Sequence, residues 1–221
     1  MDLPALEQFI DGDPGLRLVR EQFAAHQDDD PGHDLSHALR VALWTLRLGR
    51  GAIDPREGIA AALLHDAVNL PKDSPQRREA SALSAQLAAE LLPRAGFDAG
   101  ATRRVCEAIH DHSYSRDVLP RHPLGCALQD ADRLEALGAL GILRTATCGV
   151  RLGARFFDPD DPWGRRRALD DRRFTIDHFF VKLLGLEGTM RTEAGRTEAR
   201  RRTAFMRAFL AQLGEEIGEG A

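Results

Sequence analysis

The chain has 221 residues, 43% hydrophobic and 29% charged, long enough to bury roughly 70% of its unfolded surface around one substantial core. Thirty Lys and Arg against 34 Asp and Glu leave a formal charge of −4 and a pI near 6.1, so nothing draws the whole molecule to nucleic acid or an anionic membrane. Cys106, Cys126 and Cys148 are odd in number and form no CxxC pair, which argues against a disulfide framework or a thiolate zinc site and fits a reducing cytoplasm.

The opening MDLPALEQFIDGDP lacks a basic stretch followed by an apolar one, so no signal peptide is expected. The longest uncharged apolar run, Ala136 to Leu143, is too short to span a bilayer. Strict alternation is nearly absent, whereas apolar residues recur at spacings of three and four; the expected fold is an all-α, single-domain bundle over residues 1–221.

In chain order, Pro14 begins a helix with the stripe Leu16, Val19 and Phe23, N-capped by Asp13 and broken by Asp28 to Gly32. The next helix opens at HDLSHALRVALW. Asp54-Pro55-Arg56-Glu57 starts another, with Asp at N-cap, Pro at N1 and Glu at N3, running to about Asp66. Ser74-Pro75 starts a helix with the stripe Ala80, Leu83, Leu87 and Leu91. Further helices are expected over 98–112, 123–148 and 176–186, and an arginine-rich last helix with a solvated face over 193–213. Residues 156–173, with two Asp-Pro pairs and blocks of charge, read as an irregular surface loop or lid.

A few polar residues disturb this apolar pattern. His37, Val41, Trp44 and Leu48 share one helical face, so His37 points toward the core. His65 and Asp66 end the run IAAALL, and Asp132 follows LGCAL on another helix. Buried unpaired carboxylates and imidazoles are costly, and convergence on one cation removes both penalties. A mixed His and Asp set without thiolate suits a first-row divalent ion with positions open to water.

In order and context, His37, His65-Asp66 and Asp132 resemble the H…HD…D pattern of HD-domain metal-dependent phosphohydrolases. HDLSHALRV, AALLHDAVNLPKDSPQRREAS, IHDHSYS, QDADRLEALGALGI and HFFVKLLGLEGTMRTEAGRTEAR extend the likeness to the small stand-alone bacterial branch, over about residues 15–215. The resemblance implies a helical bundle with one divalent metal at its centre, held by His37, His65, Asp66 and Asp132. The ion would be manganese, magnesium, iron, nickel or cobalt. Periodicity alone leaves Asp130 and Asp132 open, since they lie about 200° apart on a helix; the family's ADRL segment selects Asp132. Asp130 then orients a ligand or lies at the surface.

The implied reaction is hydrolysis of a phosphate ester or anhydride of a small molecule, foremost release of pyrophosphate from a nucleoside triphosphate. Phosphomonoester or cyclic-nucleotide hydrolysis, or nucleotide binding without turnover, are the alternatives. Arg40, Lys72 and, more weakly, Arg133 are expected on phosphate. Asn69 stands where some HD nucleotidases carry a glutamate base, which leaves Asp73, Asp66 or His112 to take a proton and Asn69 to orient water or substrate. Of His110 and His112, only His112 joins the stripe of Val105 and Ile109, and one metal is favoured over two. His33 would line the pocket mouth, Asp34 would cap its helix or orient a ligand, and His178 would pack or line the pocket. His26 and His122 read as surface residues. A cytoplasmic protein with a phosphorylated small-molecule partner, no nucleic acid and no membrane is expected, with a homodimer as one possible assembly.

Overall fold

The computed structural model describes residues 1–25, 34–68, 70, 76–116 and 118–219. His26, His33, Asn69, Lys72, Asp73 and the helix start expected at Ser74-Pro75 lie outside the described residues. The fold is all-α: ten α-helices, no strand, and one isolated bridge between Arg155 and Phe174 among the described residues. None of these helices is long and apolar enough to cross a membrane. The chain divides into two compact units, Met1–Asp132 and Arg133–Ala221.

The first unit is built around α4 (Pro55–Leu64), in which every residue from Glu57 to Leu64 is buried. Its sequence is apolar all round, so it needs neighbours on every side. It has them in α2 (Pro14–Ala25), α3 (Leu35–Leu48) and α6 (Ala99–Asp111). Asp54 caps α4 as expected, accepting the amides of Arg56 and Glu57. Glu57 turns outward from the capping box and takes Arg104 of α6 in a bidentate pair. Asp13 caps α2 through the amides of Gly15 and Leu16 and also receives Arg56 Nε at 2.7 Å, while Arg56 Nη2 donates to the Ala95 carbonyl. A Cβ at Gly15 would fall 2.1 Å from that carbonyl, which is why glycine stands there.

Two elements of this unit differ from the sequence reading. A short helix, α1 (Leu3–Gly12), precedes α2; it buries only Leu6 and Ile10, too brief a stripe to stand out. In α5 (Ala80–Leu91) the buried face is Ser81, Ser84, Ala85, Ala88 and Leu91, whereas Leu83 is exposed. The expected stripe is thus rotated: α5 packs on α6 through small residues, and its two serines bond backbone groups in the interior. The unit ends within α7 (Pro123–Glu135), at Asp132.

In the second unit, the single helix expected over 123–148 is broken. After α7 the chain turns at Gly138, whose φ of +74° favours glycine, and α8 (Gly138–Arg151) begins. Gly138, Gly141, Thr145 and Gly149 form its buried stripe, and it packs on α10 (Glu193–Glu216). The helix expected over 176–186 shrinks to α9 (Asp177–Val181), followed by a 3-10 turn over Leu183–Thr189. Arg200, Arg201 and Arg207 of α10 are exposed, in keeping with a solvated face. Residues 156–173 contain no helix, yet Arg167 grips the fully buried carboxylate of Asp177 through both terminal nitrogens, and the Asp170 amide donates to it as well.

Candidate metal centre

The first unit brings His37, His65, Asp66, His112 and Asp132 together. His37 lies in the first turn of α3, where Asp34 caps the helix by accepting the His37 amide at 2.8 Å. Its stripe with Val41 and Leu48 carries it into the interior, and His37 is buried.

His65 is the C-cap of α4 and His112 the C-cap of α6. Each offers Nδ1 to the carbonyl three residues back, Ala62 at 2.7 Å and Ile109 at 2.6 Å. A carbonyl only accepts, so Nδ1 carries the proton in both rings and Nε2 is the atom left for chemistry. The same bond satisfies one of the orphan carbonyls at each helix end. Both rings are buried, and their centroids lie 5.0 Å apart.

Both Nε2 atoms face carboxylates. His65 Nε2 is 3.4 Å from Asp66 Oδ2 and 3.8 Å from Asp132 Oδ1, and among the described residues it has no hydrogen-bond partner although it is buried. Asp132 Oδ1 is also 3.8 Å from His37 Nε2, and Asp66 Oδ1 is 3.5 Å from His112 Nε2. The carboxylate side chains retain 24% and 27% exposure at Asp66 and Asp132, so the cluster opens to solvent on its acidic side.

This arrangement calls for positive charge. Burial alone would push the His65 pKa down, but Asp66 and Asp132 outweigh it and raise the value to about 9. Burial likewise works to raise the Asp132 carboxyl, yet His65 holds it well below the usual carboxylate range. A proton on His65 therefore stands in the chain alone where a cation would satisfy all the groups. The carbonyl ends of α4 and α6 add their partial negative charge. Two ligands bound about 2.1 Å from one ion lie roughly 3 to 3.5 Å apart, and the nearest pairs here span 3.4 to 3.8 Å. The donors group as His37, His65, Asp132 and as His65, Asp66, His112, with His65 shared. Nitrogen and carboxylate donors of this kind fit a divalent ion.

The remaining expected residues divide. Arg40 lies one turn after His37, half-buried, its guanidinium on the Ser36 hydroxyl. Asp130 is fully buried, which removes its surface reading. Arg133 is buried and donates Nη1 to the Thr189 carbonyl at 2.8 Å. His110 lies between the Asp111 carboxylate and Arg116, while His122 pairs with Glu107 and His178 with Asp171.

Three polar residues that frame the site escape the sequence reading. Ser84 Oγ accepts the Val68 amide, two residues past Asp66, and Ser81 Oγ donates to the His110 carbonyl. Gln129 Nε2 donates to the carbonyls of Asp111 and Val118. The available signal was a pair of serines three apart among the alanines and leucines of α5.

The chain belongs to the HD-domain family, whose model matches residues 34–137 and so takes in every residue of the cluster. A curated relative, the uncharacterized protein YpgQ of Bacillus subtilis, is 32% identical over 195 residues, covering 86% of this chain and 87% of the relative. Among solved structures, Bacillus subtilis YpgQ superimposes with a TM-score of 0.69 at 30% identity, covering 90% of this chain and 93% of that one. The same protein solved in complex with ADP gives 0.69 at 29% identity, with 90% and 97% covered. An HD-superfamily hydrolase from Bacillus thuringiensis gives 0.67 at 27% identity, with 96% and 97% covered.

Proposed function

We infer that the chain is a divalent-metal-dependent phosphohydrolase acting on nucleotides, and that its leading reaction is release of pyrophosphate from a nucleoside triphosphate. The observation that carries this reading is the set of buried imidazoles aimed at Asp66 and Asp132 where the central helix α4 ends. The ADP complex of YpgQ supports a nucleotide as the substrate class.

His37, His65, Asp66 and Asp132 would hold the ion, which when bound supplies Lewis-acid polarisation of a phosphate oxygen and a water of lowered pKa. The residues of the chain do the rest. Nδ1 of His112 is fixed on the Ile109 carbonyl, so its Nε2 is the atom that takes or returns a proton beside Asp66. Arg40, on the helix that carries His37, supplies a fork of donors for a phosphate group. Asn69, Lys72, Asp73 and His33 belong to the same proposal through their place in the sequence next to His65-Asp66 and His37. Exclusion of water from the three buried imidazoles strengthens each charge interaction among them.

The test is metal analysis together with product analysis. Purified protein loaded with manganese is expected to hold one ion per chain and to convert nucleoside triphosphates to monophosphate and pyrophosphate, resolved by anion-exchange chromatography. Orthophosphate from monophosphates, or opening of a cyclic nucleotide, would shift the substrate and keep the site. A protein that binds manganese and turns over none of these overturns the enzymatic reading.

A further inference from the structure

The segment that follows α6 carries His112 and then the 3-10 turn Tyr114–Arg116, and its backbone is held from two directions. From α5, Ser81 Oγ donates to the carbonyl just ahead of Asp111. From α7, the amide of Gln129 gives one bond to the Asp111 carbonyl at 3.0 Å and another to the Val118 carbonyl at 3.1 Å. The Asp111 carbonyl belongs to the peptide that joins Asp111 to His112. Gln129 therefore sets the peptide plane from which the His112 ring departs.

Gln129 is fully buried, and it precedes Asp132 by three residues, on the same side of α7. One helix thus delivers the carboxylate that faces His37 and His65, and also grips the peptide that carries His112. An amide is suited to this: its NH₂ group has two donors, one for each carbonyl, whereas a carboxylate has none when ionised. We propose that Gln129 is a positioning residue that fixes His112 against Asp66 by tying both ends of the His112 segment to the helix bearing Asp132. The inference rests on the reading of this chain as a hydrolase in which His112 moves a proton.

Gln129→Met keeps the length of the side chain and removes both donors. Compared with wild type, it is expected to lower kcat about 10- to 100-fold, in the range found for groups that orient an active residue, with KM and one metal per chain preserved. In a double-mutant cycle it should cause no further loss when added to His112→Ala, because the ring it orients is already gone. Amide exchange should quicken at residues 112–116 while α3 and α4 keep their rates. Full additivity with His112→Ala, loss of metal, or uniformly faster exchange would each overturn the proposal. Gln129→Glu provides the second arm where the Met variant does not fold: the same loss is expected, and a wild-type kcat refutes the role. The exchange arm needs no turnover. Wild-type protein that hydrolyses nothing thus counts against the proposed activity, while exchange still decides what Gln129 holds.

Discussion

His65 and His112 make an instructive pair. Each closes a helix, each gives its Nδ1 proton to the carbonyl three residues back, and each presents Nε2 to Asp66. They differ in what else lies near. His65 sits between two carboxylates at the end of a helix whose residues 57–64 are all buried, whereas His112 Nε2 lies 3.5 Å from Asp66 and its ring leads into a segment held by Ser81 and Gln129. On the proposed function, the same local device would serve two purposes: His65, flanked by two carboxylates, would hold the cation, and His112 would exchange a proton.

That contrast can be broken most severely at Asp132. Asp132→Ala removes the carboxylate between His37 and His65; several kcal/mol of charge stabilisation go with it, so activity should fall by roughly 10³-fold or more, together with metal content by elemental analysis. His112→Ala should lower kcat by about 10²- to 10³-fold and leave one metal per chain, the outcome that separates proton transfer from ligation. If His112→Ala loses metal as fully as Asp132→Ala, His112 is a ligand and the contrast fails.

A third measurement sharpens the difference through pH. In the metal-free chain the protonated His65 contributes stability that is fully present below its unfolded value of 6.5 and is lost as pH rises through about 9. Denaturant melts of the metal-free protein should show that loss. The entering metal must displace the same proton, so affinity should climb about tenfold per pH unit up to about 9 and then level off. Titration calorimetry in buffers of different ionisation enthalpy would detect the released proton, and a pH-independent affinity would contradict it. Last and smallest, Arg40→Ala should raise KM for a phosphorylated substrate about tenfold, the worth of one charge-assisted bond, with metal retained.

Those parts of the fold marked by local chemistry were legible in the sequence. Asp13-Pro14 and Asp54-Pro55 announced their helices because caps act within a few residues, and His37 was placed inward by its own stripe. Features decided by distant neighbours were not legible. Ser81 and Ser84 look like a surface strip until Val68 and His110 are seen to need their hydroxyls. The run through Gly138 reads as one apolar helix, yet the chain turns there. Of the candidate site, His37, His65 and Asp66 stood out by residue type and order and Asp132 by the family resemblance, while the carbonyl bonds of His65 and His112, though local, depended on where the two helices end.

The burial of residues 57–64 of α4 has a consequence for how a bound ion would exchange. Surface loops open and close at little cost, but a helix surrounded on all sides opens only when its neighbours do. Because His65 caps the end of that helix, its displacement should require the neighbouring helices to move as well. Metal should therefore leave through the solvent-facing carboxylates of Asp66 and Asp132, with His65 remaining in place as an anchor to which the ion can return.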